Sequence, residues 1–205
     1  MGLPQTKIDK VDLFKELKEV YTAGRRAKEV TIDMGNYIYV DGRGEPGGEA
    51  FQRTIEELYS VAYTLKFALK LANILDFKVS KLECLWYSDP STPMDKWRWR
   101  VLIRVPDSIK KREVERVKKR LLKERDIDVS EVEWTAWREG RAIQVMHVGP
   151  YDSINNTYNA LFAAAGEMGL MTSGPPHEIY LSDPNRSRSE SLKTIVRVPV
   201  KKSKV

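Results

Sequence analysis

A single cysteine, Cys84, and two histidines, His147 and His177, are all the chain offers of the residues that build disulfide frameworks or Cys/His zinc clusters. Neither structure can form within one such chain, and Cys84 is expected to be a buried apolar residue. Long apolar runs are missing as well. The stretch 160–165 is too short to cross a bilayer, and residues 1–10 lack the apolar core of a secretory signal, so a cytosolic protein without a membrane partner is expected. Phosphate-binding loops are absent too: Gly42, Gly44, Gly47 and Gly48 follow a strand-like segment and precede a helical one, but without the GxGxxG spacing or the Walker lysine. Nothing that remains calls for a metal or a cofactor.

What is present is an ordinary globular composition. The 205 residues are 41% hydrophobic and 31% charged, enough for one large domain or two small halves sharing a core. Thirty-five basic against 29 acidic residues give a net charge of +6, and the placement of that charge decides its meaning. Residues 108–126 carry Val114, Val117 and Leu121 as one apolar helical stripe. Lys111/Glu115, Glu115/Lys119 and Arg120/Glu124 lie four apart on the other faces, which predicts a solvated helix. It has acids and no aromatic side chain to stack on a base, so nucleic acid is not the expected partner. The basic tail 201–205 adds charge at a terminus.

The organisation appears on reading along the chain. Residues 10–23 place Leu13, Phe14, Leu17 and Tyr21 on one face of an N-terminal helix. A strand from Glu29, a glycine-rich turn at 42–48 and a helix through Ala72 follow, then β-rich runs at 82–88 and 97–105 around the proline-bearing loop 89–96. The same order returns as a strand at 142–148, a Gly149-Pro150 turn, a helix at 151–168 and strands at 177–182 and 193–200 around loop 183–191. Two identities fix the register: Ser88-Asp89-Pro90 with Ser182-Asp183-Pro184, and Arg104-Val105-Pro106 with Arg197-Val198-Pro199. The chain reads as one domain of class α+β. A duplicated βαββ module, 30–106 and 142–200, is joined by 107–141 with a strand at 129–138; its antiparallel sheet has pseudo-twofold symmetry, with the helices on one side.

Aligning the repeats places Trp86 opposite Tyr180 and Cys84 opposite Glu178, each pair two apart along its strand and so on one sheet face. Trp97 and Trp99 continue an aromatic surface on the next strand. United across the pseudo-twofold, these positions predict an aromatic cleft with one carboxylate, suited to a flat or cationic ligand because aromatic faces attract cations by ~0.5 to 2 kcal/mol. Two plainer readings stand beside this one: Glu178 as a surface residue paired with an arginine, and alternating tryptophans as core. Trp134 and Trp137, three apart, are assigned to packing. His147 and His177 point away from the faces of Met146 and Glu178 and are expected to be exposed or simply hydrogen-bonded.

The segments YIYVDGRGEP, LYSVAYTLKF, KLECLWYS, WRWRVLIRVPD, HVGPYD and PPHEIYLSDP, in this order over residues 31–199, resemble the GyrI-like small-molecule-binding family. The resemblance implies a duplicated βαββ, SHS2-like fold with a ligand cleft between the halves, and planar, amphipathic, often cationic xenobiotics as ligands. Related effector domains of multidrug-responsive activators receive lipophilic cations on an acidic residue among aromatics; here no helix-turn-helix precedes the domain. Other members hydrolyse the cyclopropane of DNA-alkylating natural products. Carried over by motif, Glu178 and Tyr180 would be the catalytic pair, general base and donor about 7 Å apart by strand rise, and Trp86, Trp97 and Trp99 the ligand-binding walls. One position departs, since a smaller residue, often glycine, is expected where Cys84 stands. A module acting on gyrase or another DNA-bound complex is the third reading.

Overall fold

The computed structural model describes residues 8–203; residues 1–7 and the last two of the basic tail lie outside them. The chain starts with a short strand β1 (Lys10–Val11), two single helical turns α1 (Leu13–Glu16) and α2 (Lys18–Tyr21), and strands β2 (Lys28–Ile32) and β3 (Gly35–Arg43). Helix α3 (Glu49–Leu71), β4 (Asp76–Phe77), β5 (Leu82–Trp86), β6 (Arg98–Val105), α4 (Lys111–Arg125) and β7 (Glu133–Trp137) come next. The second half contributes β8 (Gly140–Val148), α5 (Ile154–Glu167), β9 (Leu170–Thr172), β10 (His177–Tyr180) and β11 (Lys193–Lys202). None of the described helices is long and apolar enough to span a membrane.

The main sheet runs β2-β8-β11-β10-β5-β6-β3-β7, with every described pairing antiparallel. The order β10-β11-β8-β2 mirrors β5-β6-β3-β7, so a pseudo-twofold passes between β5 and β10. Their register makes Cys84 and Glu178 direct Cα partners. These are the two positions that the Ser-Asp-Pro alignment equates, which puts the axis through this pair. The sheet is also curled back on itself. Only Asp33 and Met34 separate β2 from β3, and only Arg138 and Glu139 separate β7 from β8. The β2–β8 and β3–β7 ladders keep one register across both breaks: Ile32 faces Gly140 and Gly35 faces Trp137. Two long bent strands thus close the antiparallel sheet into a distorted barrel, a closure that the sequence reading did not include.

The outer face carries α3 and α5. Phe51, Leu58, Val61, Ala62 and Leu65 of α3 recur at helical spacing and bury against Val101, Ile103 and Val105, while Leu161 and Ala165 of α5 meet Val196 and Val198. The enclosed face holds Tyr37, Leu85 and Leu102 together with buried polar groups. The N-terminal helix is broken at Leu17, whose φ of −108° and ψ of 50° lie outside the helical region. Each of its turns is too short to be stable alone and relies on packing: Phe14, Leu17, Val20 and Tyr21 cap the enclosed face over Ile179 and Ile195. The helices are therefore on one side except for this segment.

A carboxylate at the axis, ringed by phenols

Because side chains alternate along β10, its two faces do different chemistry. On the enclosed side, His177 is fully buried and lies 3.0 Å from carboxylate oxygens of both Glu83 and Glu139. Arg197 donates to Glu139 at 2.8 Å, to Gln144 at 2.9 Å and to the Val20 carbonyl, and the Tyr21 hydroxyl donates to Glu83 at 2.8 Å. Burial acts to neutralise His177 and Glu139, but opposite charges win. Burial would lower the His177 pKa, yet the two carboxylates raise it to about 9; Glu139, facing His177 and Arg197, is held at about 2. His177 is thus an ion-paired interior residue, with none of the exposure the sequence allowed. His147 is also buried, bonded to Thr157 Oγ1 at 2.7 Å and to the Pro150 carbonyl at 3.1 Å.

On the helix side stands Glu178, 7% exposed. The Tyr158 hydroxyl donates to its Oε1 at 2.9 Å and the Tyr180 hydroxyl to its Oε2 at 2.8 Å. Strand rise alone would hold Glu178 and Tyr180 apart; their side chains lean together instead, so the phenol meets the carboxylate directly. Burial raises the Glu178 pKa, opposed by hydrogen bonds from Tyr180 and Tyr158 and by the nearby Trp86 indole, and the phenols of Tyr158 and Tyr180 are raised by burial and by Glu178, so both stay protonated donors. The buried Trp86 indole N–H acts on the same carboxylate yet has no partner within hydrogen-bond limits. Thr194, paired with Tyr180 in register, is fully buried with its hydroxyl also unpartnered. Cys84 packs beside the carboxylate, and its thiol is pushed up by burial.

The expected site residues separate by distance from this point. Trp86 reaches Glu178. Trp97 stands one ring farther, edge-on to Trp86 at 5.6 Å, its own N–H given to the Thr92 carbonyl at 2.7 Å. Trp99 is a buried support, 2% exposed, lying across Gly42 where any Cβ would strike the indole, and donating to the Gly44 carbonyl at 3.2 Å. It braces Phe51, which stacks on Trp86 at 5.8 Å. Trp134 and Trp137 pack on opposite faces of β7, as their spacing requires. Two site residues escaped the sequence reading: Tyr158, and Tyr151, which meets Tyr180 edge to face at 5.8 Å. Their signal was a stripe, Tyr151, Tyr158 and Phe162, spaced seven and four apart. Among the described residues no cluster of His, Cys, Asp and Glu could hold a metal ion.

A curled α+β sheet bearing two related helices over one buried acid among aromatics is the architecture of a small-molecule-binding domain. Residues 27–201 match the GyrI-like small molecule binding domain, and the chain belongs to that family. An uncharacterized conserved protein from Listeria innocua is 34% identical, with 93% of this chain and all of the other aligned at a TM-score of 0.88. A hydrolase from Listeria innocua is likewise 34% identical over 93% of this chain and 100% of its own, at 0.85. The C-terminal domain of EcmrR, 16% identical over 86% of this chain and 98% of its own, shares the fold at 0.60. A comparison with curated proteins gives no match.

Proposed function

We propose that this GyrI-like domain captures flat, amphipathic and often cationic organic molecules at the aromatic cleft centred on Glu178. The observation that carries this reading is the contrast between buried acids. Glu83 and Glu139 are ion-paired with His177 and Arg197, whereas Glu178, also buried, forms no ion pair among the described residues and is held only by neutral donors. A buried carboxylate without a counter-charge is costly, and a ligand cation would supply that charge between aromatic faces. The test is titration of a fluorescent lipophilic cation and a neutral molecule of the same shape against the wild type and Glu178→Gln. The cation alone should lose affinity; equal losses would assign Glu178 a role in shape.

Hydrolysis is the second reading, favoured by the raised pKa of Glu178 and by the 34% identity to the Listeria innocua hydrolase. In an activated cyclopropane, water attacks the exposed ring carbon and gives its proton to Glu178. The strained C–C bond breaks, and its electron pair passes through the conjugated ring to the ketone oxygen as the ring becomes aromatic. General base catalysis of this kind is worth roughly 10² to 10⁴-fold. Because Tyr180 already donates to Glu178, the unpartnered Trp86 N–H is the donor free to meet the developing oxyanion. Chromatography of a cyclopropane-bearing DNA alkylator incubated in molar excess decides it. Ring-opened product beyond the buffer control supports turnover, and stoichiometric retention of intact drug leaves a binding protein. The interaction-module reading draws no support from α4, where Arg120 pairs with Glu124 and Lys118 with Glu115 and Glu133.

A further inference from the structure

The loops that follow β5 and β10 are built alike. In the first, Ser88 Oγ accepts from the Arg98 N–H at 2.7 Å and Asp89 Oδ1 from the Ser91 N–H at 2.8 Å; in the second, Ser182 Oγ accepts from Lys193 at 3.0 Å and Asp183 Oδ1 from Asn185 at 2.9 Å. Each loop ends in a short 3₁₀ turn, Met94–Lys96 or Ser189–Ser191, directly before its strand. The residue closing that turn differs. It is Trp97 in the first half, whose indole lies against Trp86 and bonds back to the Thr92 carbonyl. In the second half it is Leu192, and an open surface pocket of about 300 Å³ lies there, lined among others by the buried Leu192, the half-buried Ser187 and the exposed Tyr151, Asp152, Pro184 and Ser189. Where the first half has an indole, the second has the smaller Leu192 on the wall of this space, in the half that carries Glu178.

This pocket lies two rings from the carboxylate. Tyr151 lines it and meets Tyr180, whose hydroxyl bonds Glu178. Its polar groups are the Asp152 carboxylate and the hydroxyls of Ser187 and Ser189, none of which has a side-chain hydrogen bond or ion pair among the described residues. Arg186 on the same loop is turned to Asp183 at 3.3 Å. Building on the reading of Glu178 as the ligand's counter-charge, we infer that this pocket is a second subsite, receiving a protonated amine on a short chain that extends from the flat ring system past Tyr180 and Tyr151. An ammonium donates to three acceptors, which Asp152, Ser187 and Ser189 supply, and 300 Å³ lies at the small end of ligand pockets.

The test uses two probes, 9-amino-10-methylacridinium and its 9-(4-aminobutylamino) analogue, titrated by fluorescence against the full chain and two variants. Leu192→Trp copies the first half and fills the pocket; Asp152→Asn keeps the space and removes the charge. The aminobutyl probe should bind the wild type about tenfold more tightly than the short one, a difference of ~1.4 kcal/mol. Both variants should erase that advantage and leave the short probe unchanged. Should Leu192→Trp fail to fold, Asp152→Asn carries the test. If the short cation binds and the chain adds nothing, or if the advantage persists in the folded variants, the subsite is overturned while the reading at Glu178 stands. If neither probe binds the wild type, that reading falls and takes the subsite with it.

Discussion

The two halves of the barrel share strand order, a helix laid across the strands and loops with matching hydrogen bonds, but at the axis they part company. Cys84, a fully buried thiol, faces Glu178; Trp86 corresponds to Tyr180, and Trp97 to Leu192. The first half is finished with bulk: Trp86, Trp97, Trp99 and Phe51 pack ring against ring. The second half is finished with oxygen: the hydroxyls of Tyr158 and Tyr180 converge on one carboxylate. One half presents packed rings at the axis and the other a carboxylate held by phenols, and the fold permits both because the backbone scaffold is indifferent to which side chains that face carries.

Breaking the enclosed side of the axis should have the largest effect. Glu139→Ala leaves His177 and Arg197 buried without their shared carboxylate, and losing one partner of such a group costs about 3 to 5 kcal/mol. Urea denaturation measures it; a loss within about 0.5 kcal/mol, the size of an ordinary surface change, would mean that the network relaxes without cost. The cleft side comes next. Glu178→Gln should weaken a lipophilic cation about a hundredfold, or ~2.7 kcal/mol, with Cys84→Ser changing it less than about threefold. Comparable losses in both would erase the distinction between the halves.

A smaller effect sharpens the role of the phenols. Cation affinity should fade as pH falls through the raised pKa of Glu178, because the carboxylate protonates. Tyr158→Phe or Tyr180→Phe removes a donor worth ~1.5 to 3 kcal/mol to the charged form and should move that fading to higher pH; affinity measured across pH reads the displacement, and an unmoved profile would separate the phenols from the charge. The smallest effect lies in the stability profile. His177 is raised from 6.5 to about 9, so its contribution is complete below 6.5 and is lost as pH rises through about 9. Glu139, lowered from 4.5 to about 2, contributes fully above 4.5 and loses that contribution as pH falls through about 2. Glu83→Gln should bring the alkaline decline to lower pH, seen as thermal midpoints across the range.

The repeat was legible from the first of its two markers, since Ser88 and Ser182 tie down the next strand and Asp89 and Asp183 close the loop. The second marker was out of register by two residues: Arg197 faces His177 as Leu102 faces Glu83, so Arg104 corresponds to Pro199 and not to Arg197. Glu178, Tyr180 and Trp86 were legible from strand alternation plus that register. Tyr158 was harder, since a helix stripe does not say which strand residue it will meet. The group around His177 was beyond pattern reading, because Glu83, Glu139 and Arg197 are remote in sequence and converge only when the sheet curls. Trp99 misled for a related reason: alternation put it on the cleft face, and only its fit over Gly42 shows that it lies beneath the surface.

The pairing of Cys84 with Glu178 across the axis bears on what a symmetric ancestor could have been. Two identical halves associating as separate chains must place the same side chain at both positions, so an acid there would come as a facing pair. Like charges so close cannot both ionise readily, and such a pair would share a proton. Joining the halves in one chain removes that obligation. A thiol on one side lets the carboxylate on the other stand alone, and a single acid at a twofold centre is something two identical chains cannot offer.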